Sequence, residues 1–414
     1  MFLGLYNAPG ILVAASGFSI TQNRTVISRK TQRAALVCAC AVGFAFSANY
    51  TNHAPLAAAL ARQFGFSQAL AGLLTTGIFT THAAMQIPGG HLVDRLGSRK
   101  VLIGALAWVV LGNLGIAFAG SYWQLLAWKI FTGIGTGTCF VAGARYTHEA
   151  LAGPRLHLAQ GLYGGSILLG SGFVILAVPR IYMFMGWRGT FVTSAAVGVV
   201  AWLLWVVAAP RIAPAAHAGG NFWRMLTAPQ LWLLGLMQMA SFGLAIVVGA
   251  WIVALLGNAF RMPLGRAGLV GSLVLLLGIG MRPLGGALRH YVPVRALLAG
   301  SFLMNAAGCF LLAAGWNALS LAVLAVVLVG MGCGLPYAAL FTRAAALFPG
   351  RAAAAMGLVN MLGIVMILFG APLIGQLVDW TGSFRSSFLV LSAFSLVACA
   401  AVFLVSRDEP SSAL

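Results

Sequence analysis

Twelve apolar runs, each close to the length of a bilayer-spanning helix, make up most of this 414-residue chain. They lie near 34–57, 69–90, 101–120, 122–144, 158–179 and 189–209, then near 230–256, 267–288, 295–314, 318–341, 353–377 and 385–405. A helix needs about 20 mostly apolar residues to cross the hydrocarbon core of a membrane. Within lipid every backbone N–H and C=O must be paired inside the segment, so such runs read as helices. The expectation is an all-α membrane protein of twelve transmembrane helices. Hydrophobic residues make up 61% and charged residues 7%, against roughly 25% charged in a soluble domain.

The formal net charge is +19, from 24 Lys and Arg against five Asp and Glu. The cations stand singly between apolar runs rather than along one basic face, which excludes a nucleic-acid partner. With the N-terminus inside, sixteen cations fall on inner segments, six on outer segments and two, Lys129 and Arg282, within spans. Cytoplasmic loops retain Lys and Arg, so both termini are expected in the cytoplasm of a multi-pass protein of the bacterial inner membrane. The six cysteines (Cys38, Cys40, Cys139, Cys309, Cys333 and Cys399) lie inside apolar runs without paired spacing. They read as small buried apolar residues.

Arg211–Pro229 is the longest polar interruption, and the sequence repeats across it at an offset of about 196. Gln86-Ile-Pro-Gly-Gly matches Arg282-Pro-Leu-Gly-Gly; Gly133-Ile-Gly-Thr-Gly137 matches Gly330-Met-Gly-Cys-Gly334; Gly161 matches Gly357; Trp187-Arg-Gly-Thr-Phe191 matches Phe384-Arg-Ser-Ser-Phe388. The repeat predicts two pseudosymmetric six-helix bundles. These are an N-terminal bundle at 33–209 and a C-terminal bundle at 230–405. They are joined by a cytoplasmic linker at 210–229 and flanked by cytoplasmic tails at 1–32 and 406–414.

The loop after the second run reads Gly90-His-Leu-Val-Asp94-Arg95-Leu-Gly97-Ser-Arg99-Lys100. It closely resembles the cytoplasmic loop signature of the major facilitator superfamily. Lys129-Ile-Phe-Thr-Gly133 resembles the family's second motif, with Lys where Arg is usual. The resemblance spans about 34–405 and implies the superfamily's fold. It also implies a gating cluster of Gly90, Asp94, Arg95, Gly97, Arg99 and Lys100, with Arg145 and Glu149 as partners, and a coupling role for Lys129. Gly90 alone suggests close helix approach, and Asp94, among cations at a helix end, calls for partners.

Ionisable groups inside spans are expensive and mark function. Two cations and no carboxylate lie deep in the runs, a field that suits an anion. Arg282-Pro-Leu-Gly-Gly is similar to the eighth helix of the nitrate/nitrite porters, which carry one anion-binding Arg in each half. Here the first-half position is Gln86, which implies a single-arginine site for a weaker or larger anion, such as cyanate or a monocarboxylate. Asn49, Asn52 and His53 share a helical face, as do His82 and Gln86. With Gln238, Tyr337 and Asn360 from the second half they are the expected cavity lining, and Trp251 is expected to cap it from outside.

The expectation is a monomeric secondary transporter of a small anionic molecule, surrounded by lipid, with no cofactor and no metal. His82-Ala-Ala-Met85 is too sparse for a copper site. No nucleophile elbow or zinc motif supports an enzyme. The competing readings are a proton-coupled exporter of drugs or small amphiphiles, and a transporter-like sensor or assembly partner.

Overall fold

A computed structural model describes residues 28–151, 156–212, 223–288, 291–314, 318–348 and 352–405. Among them every element is helical. Most of the N-terminal tail, the centre of the linker and the C-terminal tail lie outside the described residues.

Helix α1 (Arg29–Thr51) starts where the Ser28 hydroxyl accepts the Thr31 N–H, a side-chain cap on a helix start. It breaks at Asn52–His53 and continues through a 3-10 turn (Ala54–Leu56) into α2 (Ala57–Phe64). Pro55 lacks an N–H and loosens the chain there. Helix α3 (Gln68–Ala84) is capped by Ser67, and α4 (Gln86–Leu96) follows after a break at Met85. Gly97, at φ 80°, ends α4, and α5 (Ser98–Ala117) starts directly after it. Next come α6 (Tyr122–Ala150) and α7 (Leu156–Ala208). Inside α7, Gly186 has φ 67° and ψ −177°, so two helices meet there. The connection expected at 180–188 is therefore helical up to a sharp turn at one glycine.

The second half holds α8 (Trp223–Leu226) and α9 (Pro229–Gln238). A π-helical turn (Met239–Gly243) leads into α10 (Leu244–Ala259). Helices α11 (Leu264–Leu288), α12 (Val294–Ala313), α13 (Leu319–Gly334), α14 (Tyr337–Leu347), α15 (Ala352–Thr381) and α16 (Arg385–Ala401) follow. Ten helical stretches among the described residues are long and apolar enough to cross a membrane. The stretch Ala159–Ala208, which contains the Gly186 turn, is one of them, and the 17-residue α3 is not among the ten. The lateral faces carry exposed apolar side chains such as Val200 (67%) and Phe310 (53%), as expected where lipid is the solvent.

Helices before residue 212 pack mainly on one another, and so do those after 223; the two sets meet along α3–α15, along α7–α11 and where α10 meets the 3-10 turn. Glycines set both seams. A Cβ on Gly72 would collide with the backbone of Ala371 and Pro372, and one on Gly268 would collide with Ile175 and Pro179. Gly72 and Gly268 are 196 residues apart, the offset of the sequence repeat. The basic end of the molecule holds Arg95, Arg99 and Arg145. There α4 packs on α3, α5 and α6, whereas α14 packs on α9, α11 and α15. The seams therefore close the end opposite the basic one.

Candidate transport site

Arg282 stands one residue before Pro283 in α11, in a stretch crowded with glycine. Gly285 lies against the Leu335 backbone, and Gly334 against Gly278 and Met281, so α11 and α13 nearly touch. This approach directs the arginine across the seam. Its Nη1 donates to the Gly164 carbonyl of α7 at 3.2 Å, and its Cζ lies 4.0 Å from the Tyr337 ring centre. A Cβ on Gly164 would sit 3.3 Å from the Tyr337 hydroxyl and 3.5 Å from the guanidinium, so this glycine faces both groups directly. The Arg282 Nε is buried and has no hydrogen-bond partner. Among the described side chains no carboxylate reaches it. Glu149 pairs with Arg145 at the basic end, and Asp379 bonds to α3 at the opposite end.

Gln86 opens α4, just after the Met85 break, and its Nε2 is also buried without a partner. One turn earlier His82 is bonded to the Thr136 hydroxyl at 3.0 Å. The rings of Phe46, Tyr50, Phe79 and Phe140 surround it. Tyr50 links the two regions through α7: it packs edge-on against His82, and its partner Ser171 lies two turns along α7 from the Gly164 that Arg282 binds. The Ser171 hydroxyl donates to Tyr50 at 3.3 Å. Tyr50, Ser171 and Thr136 lie outside the lining expected from the sequence. A tyrosine inside the polar string at 49–53 was the available signal.

Asn49, Asn52 and Lys129 turn into the first set of helices. The Lys129 ammonium is buried, donates to Asn52 Oδ1 at 2.6 Å and to the Asn49 carbonyl at 3.4 Å, and faces the Phe191 ring. Asn52 donates in turn to Asn113 Oδ1 at 2.7 Å, a residue outside the expected lining. Asn49 bonds back to the Ala45 carbonyl. His53 contacts the Thr75 hydroxyl at 2.9 Å and lines a small cavity with Thr51, Phe79, Ile175 and Gly249. In the second half Gln238 is fully buried beside Gly363, with neither amide atom partnered, and Asn360 is half-buried on α15. The Trp251 indole donates to the Ala371 carbonyl at 3.0 Å, behind the α3–α15 seam.

At the basic end Glu149 accepts from Arg145 at 2.9 Å and from the Ser98 hydroxyl at 3.0 Å. Arg99 donates to the carbonyls of Val206 and Ala209, a cation at the C-terminal end of α7 where the helix dipole favours it. Arg95 and Lys100 are exposed, and the Asp94 side chain lies outside the described residues.

The Major Facilitator Superfamily profile matches residues 39–363 and, separately, 231–414. The chain belongs to that superfamily of transport proteins and is not an enzyme. It is 24% identical over 363 residues to a probable nitrate/nitrite antiporter, NarK1, of Thermus thermophilus, covering 80% of this chain and 82% of the relative. It is 26% identical over 415 residues to a probable sulfoacetate transporter, SauU, of Cupriavidus necator, covering 92% and 96%. It superposes on a bacterial homolog of the human lysosomal transporter Spinster, in an inward-facing and unoccupied conformation. The TM-score is 0.79 at 18% identity, with 93% of this chain and 100% of that one covered.

Proposed function

We propose that this protein carries a small anion across the bacterial inner membrane by alternating access. In this reading twelve crossings form two pseudosymmetric bundles, at 33–209 and 230–405, with both termini in the cytoplasm. The observation that carries it is the state of Arg282. A buried guanidinium with an unpaired N–H and, among the described side chains, no carboxylate in reach is costly, and an arriving anion relieves that cost. The orphaned Gln86 Nε2 is a second donor that adds no second charge, consistent with a monovalent oxyanion or carboxylate. Relatives named as nitrate/nitrite and sulfoacetate transporters support an anionic substrate. The loop set Gly90, Asp94, Arg95, Gly97, Arg99 and Lys100, with Arg145 and Glu149, would bias the two-state equilibrium at the basic end.

The test is uptake of nitrate, nitrite, cyanate, sulfoacetate and simple monocarboxylates into proteoliposomes, with and without a pH gradient. One of these anions is expected to accumulate. A native substrate that proves cationic or neutral would sink the proposal.

A further inference from the structure

Asp379 lies at the C-terminal end of α15, in the second set of helices, and its carboxylate leaves that set. Its Oδ1 accepts the Gln68 N–H at 2.9 Å and its Oδ2 accepts the Ala69 N–H at 2.7 Å. These donors open α3 in the first set, where the first N–H groups have no partner within the helix. A carboxylate there also meets the positive end of the helix dipole. Ser67 already supplies the local cap by accepting from Leu70, so Asp379 takes the two donors the local cap leaves free. Gly375, one turn earlier on α15, permits the approach, since a Cβ there would strike the Gln68 backbone.

The surrounding sequence repeats the basic-end motif. Gly375-Gln-Leu-Val-Asp379-Trp-Thr-Gly382-Ser383 matches Gly90-His-Leu-Val-Asp94-Arg-Leu-Gly97-Ser98 in six of nine positions. Both copies end a helix at a glycine of positive φ, 64° at Gly382 and 80° at Gly97. The sister seam, which Arg282 crosses to the Gly164 carbonyl, has no acid at the matching position. At the 196 offset, Asp379 corresponds to Met183 and Ser67 to Pro263.

We infer that Asp379 is the latch of the far gate, holding the two bundles together at that end by capping α3 across the boundary between them. Its two bonds must break when the far end opens, so the residue sets the balance between the two states. This inference rests on the alternating-access reading.

The test uses full-length protein in lipid nanodiscs with its six native cysteines replaced. Spin labels are placed at Gln63 and Arg385, both exposed at the far end. Asp379→Asn keeps the shape at an exposed position but removes the charge and one strong acceptor. Gln68→Pro removes one donor while suiting the first position of a helix, and Ser67 at φ −73° and ψ 167° already has the backbone a following proline requires. Each variant is expected to raise the ratio of long to short inter-label distances about two- to fivefold, the range for a carboxylate at a helix start. Distributions identical to wild type in both variants overturn the latch. If nitrate and sulfoacetate also elicit no long distance in wild type, alternating access falls with it; if they do, the failure is confined to Asp379.

Discussion

The Thr76 hydroxyl donates at 2.7 Å to the carbonyl of Leu368, across the boundary between the two sets of helices. Leu368 lies four residues before Pro372, and a proline has no N–H to return to that carbonyl. The kink in α15 thus frees an acceptor, and α3 supplies the donor.

Thr76→Val should leave that carbonyl without a partner while the seam is closed, at a cost of about 1–3 kcal/mol. The expected result is a larger fraction of far-end-open protein in spin-label distance measurements, with Thr76→Ser close to wild type. Pro372→Ala restores the intrahelical donor and should suppress the effect of Thr76→Val. Independent, additive effects of the two substitutions would refute the pairing.

Arg282→Gln should abolish uptake of the native anion, and Arg282→Lys should restore only a small part of it. Lysine keeps the charge but offers no planar fork to reach Gly164 and an anion together. Uptake by Arg282→Gln proteoliposomes at the wild-type rate would remove Arg282 from the site.

Tyr337→Phe should bind substrate nearly as wild type does, because the guanidinium rests on the ring face. Tyr337→Leu loses the cation–π contact, worth roughly 0.5–2 kcal/mol. Calorimetric titration of the two variants with the transported anion compares them directly. Equal weakening in both would assign the effect to the hydroxyl instead.

Asn52→Leu should destabilise the fold, by about 1.5–3 kcal/mol, because it removes the closest acceptor of a buried ammonium. Lys129→Met should be milder, and the double variant Asn52→Leu/Lys129→Met should be more stable than Asn52→Leu alone. Thermal unfolding of the purified proteins provides the measure; additive losses would show that the two side chains are not coupled.

Lipid strips a sequence of most ambiguity about its helices, so the apolar runs and the repeat were legible. Gly72 and Gly268 show how far the repeat reaches: each meets a proline-bearing helix of the other half. The two arms of the site were less legible. Arg282 and Gln86 stood out because a charged or amide group inside an apolar run is rare. Tyr50 did not, because a tyrosine among apolar residues is also ordinary core. Lys129 read as an isolated charge, but its closest side-chain partner, Asn52, is 77 positions away, and no local pattern encodes such a pairing. Asp379 read as an acid at a helix end. Its donors are backbone groups 310 and 311 positions earlier, and backbone donors leave no mark in the sequence. The break at Met85 and the turn at Gly186 come from packing, and they shift boundaries that hydropathy alone placed elsewhere.

A site with one arginine and, among the described side chains, no acid has an electrical consequence. Arg282 keeps its proton at any physiological pH, so the empty anion site holds one positive charge with no described carboxylate beside it, while Lys129 sits apart inside the first set of helices. A monovalent anion cancels the Arg282 charge. The loaded site then reorients with its own charge cancelled, and the transmembrane voltage acts on that site's charge only in the unloaded return. A charge crossing the full field gains or loses about 2.3 kcal/mol per 100 mV. Voltage should therefore set how fast the empty carrier resets, while leaving the crossing of the anion itself nearly untouched.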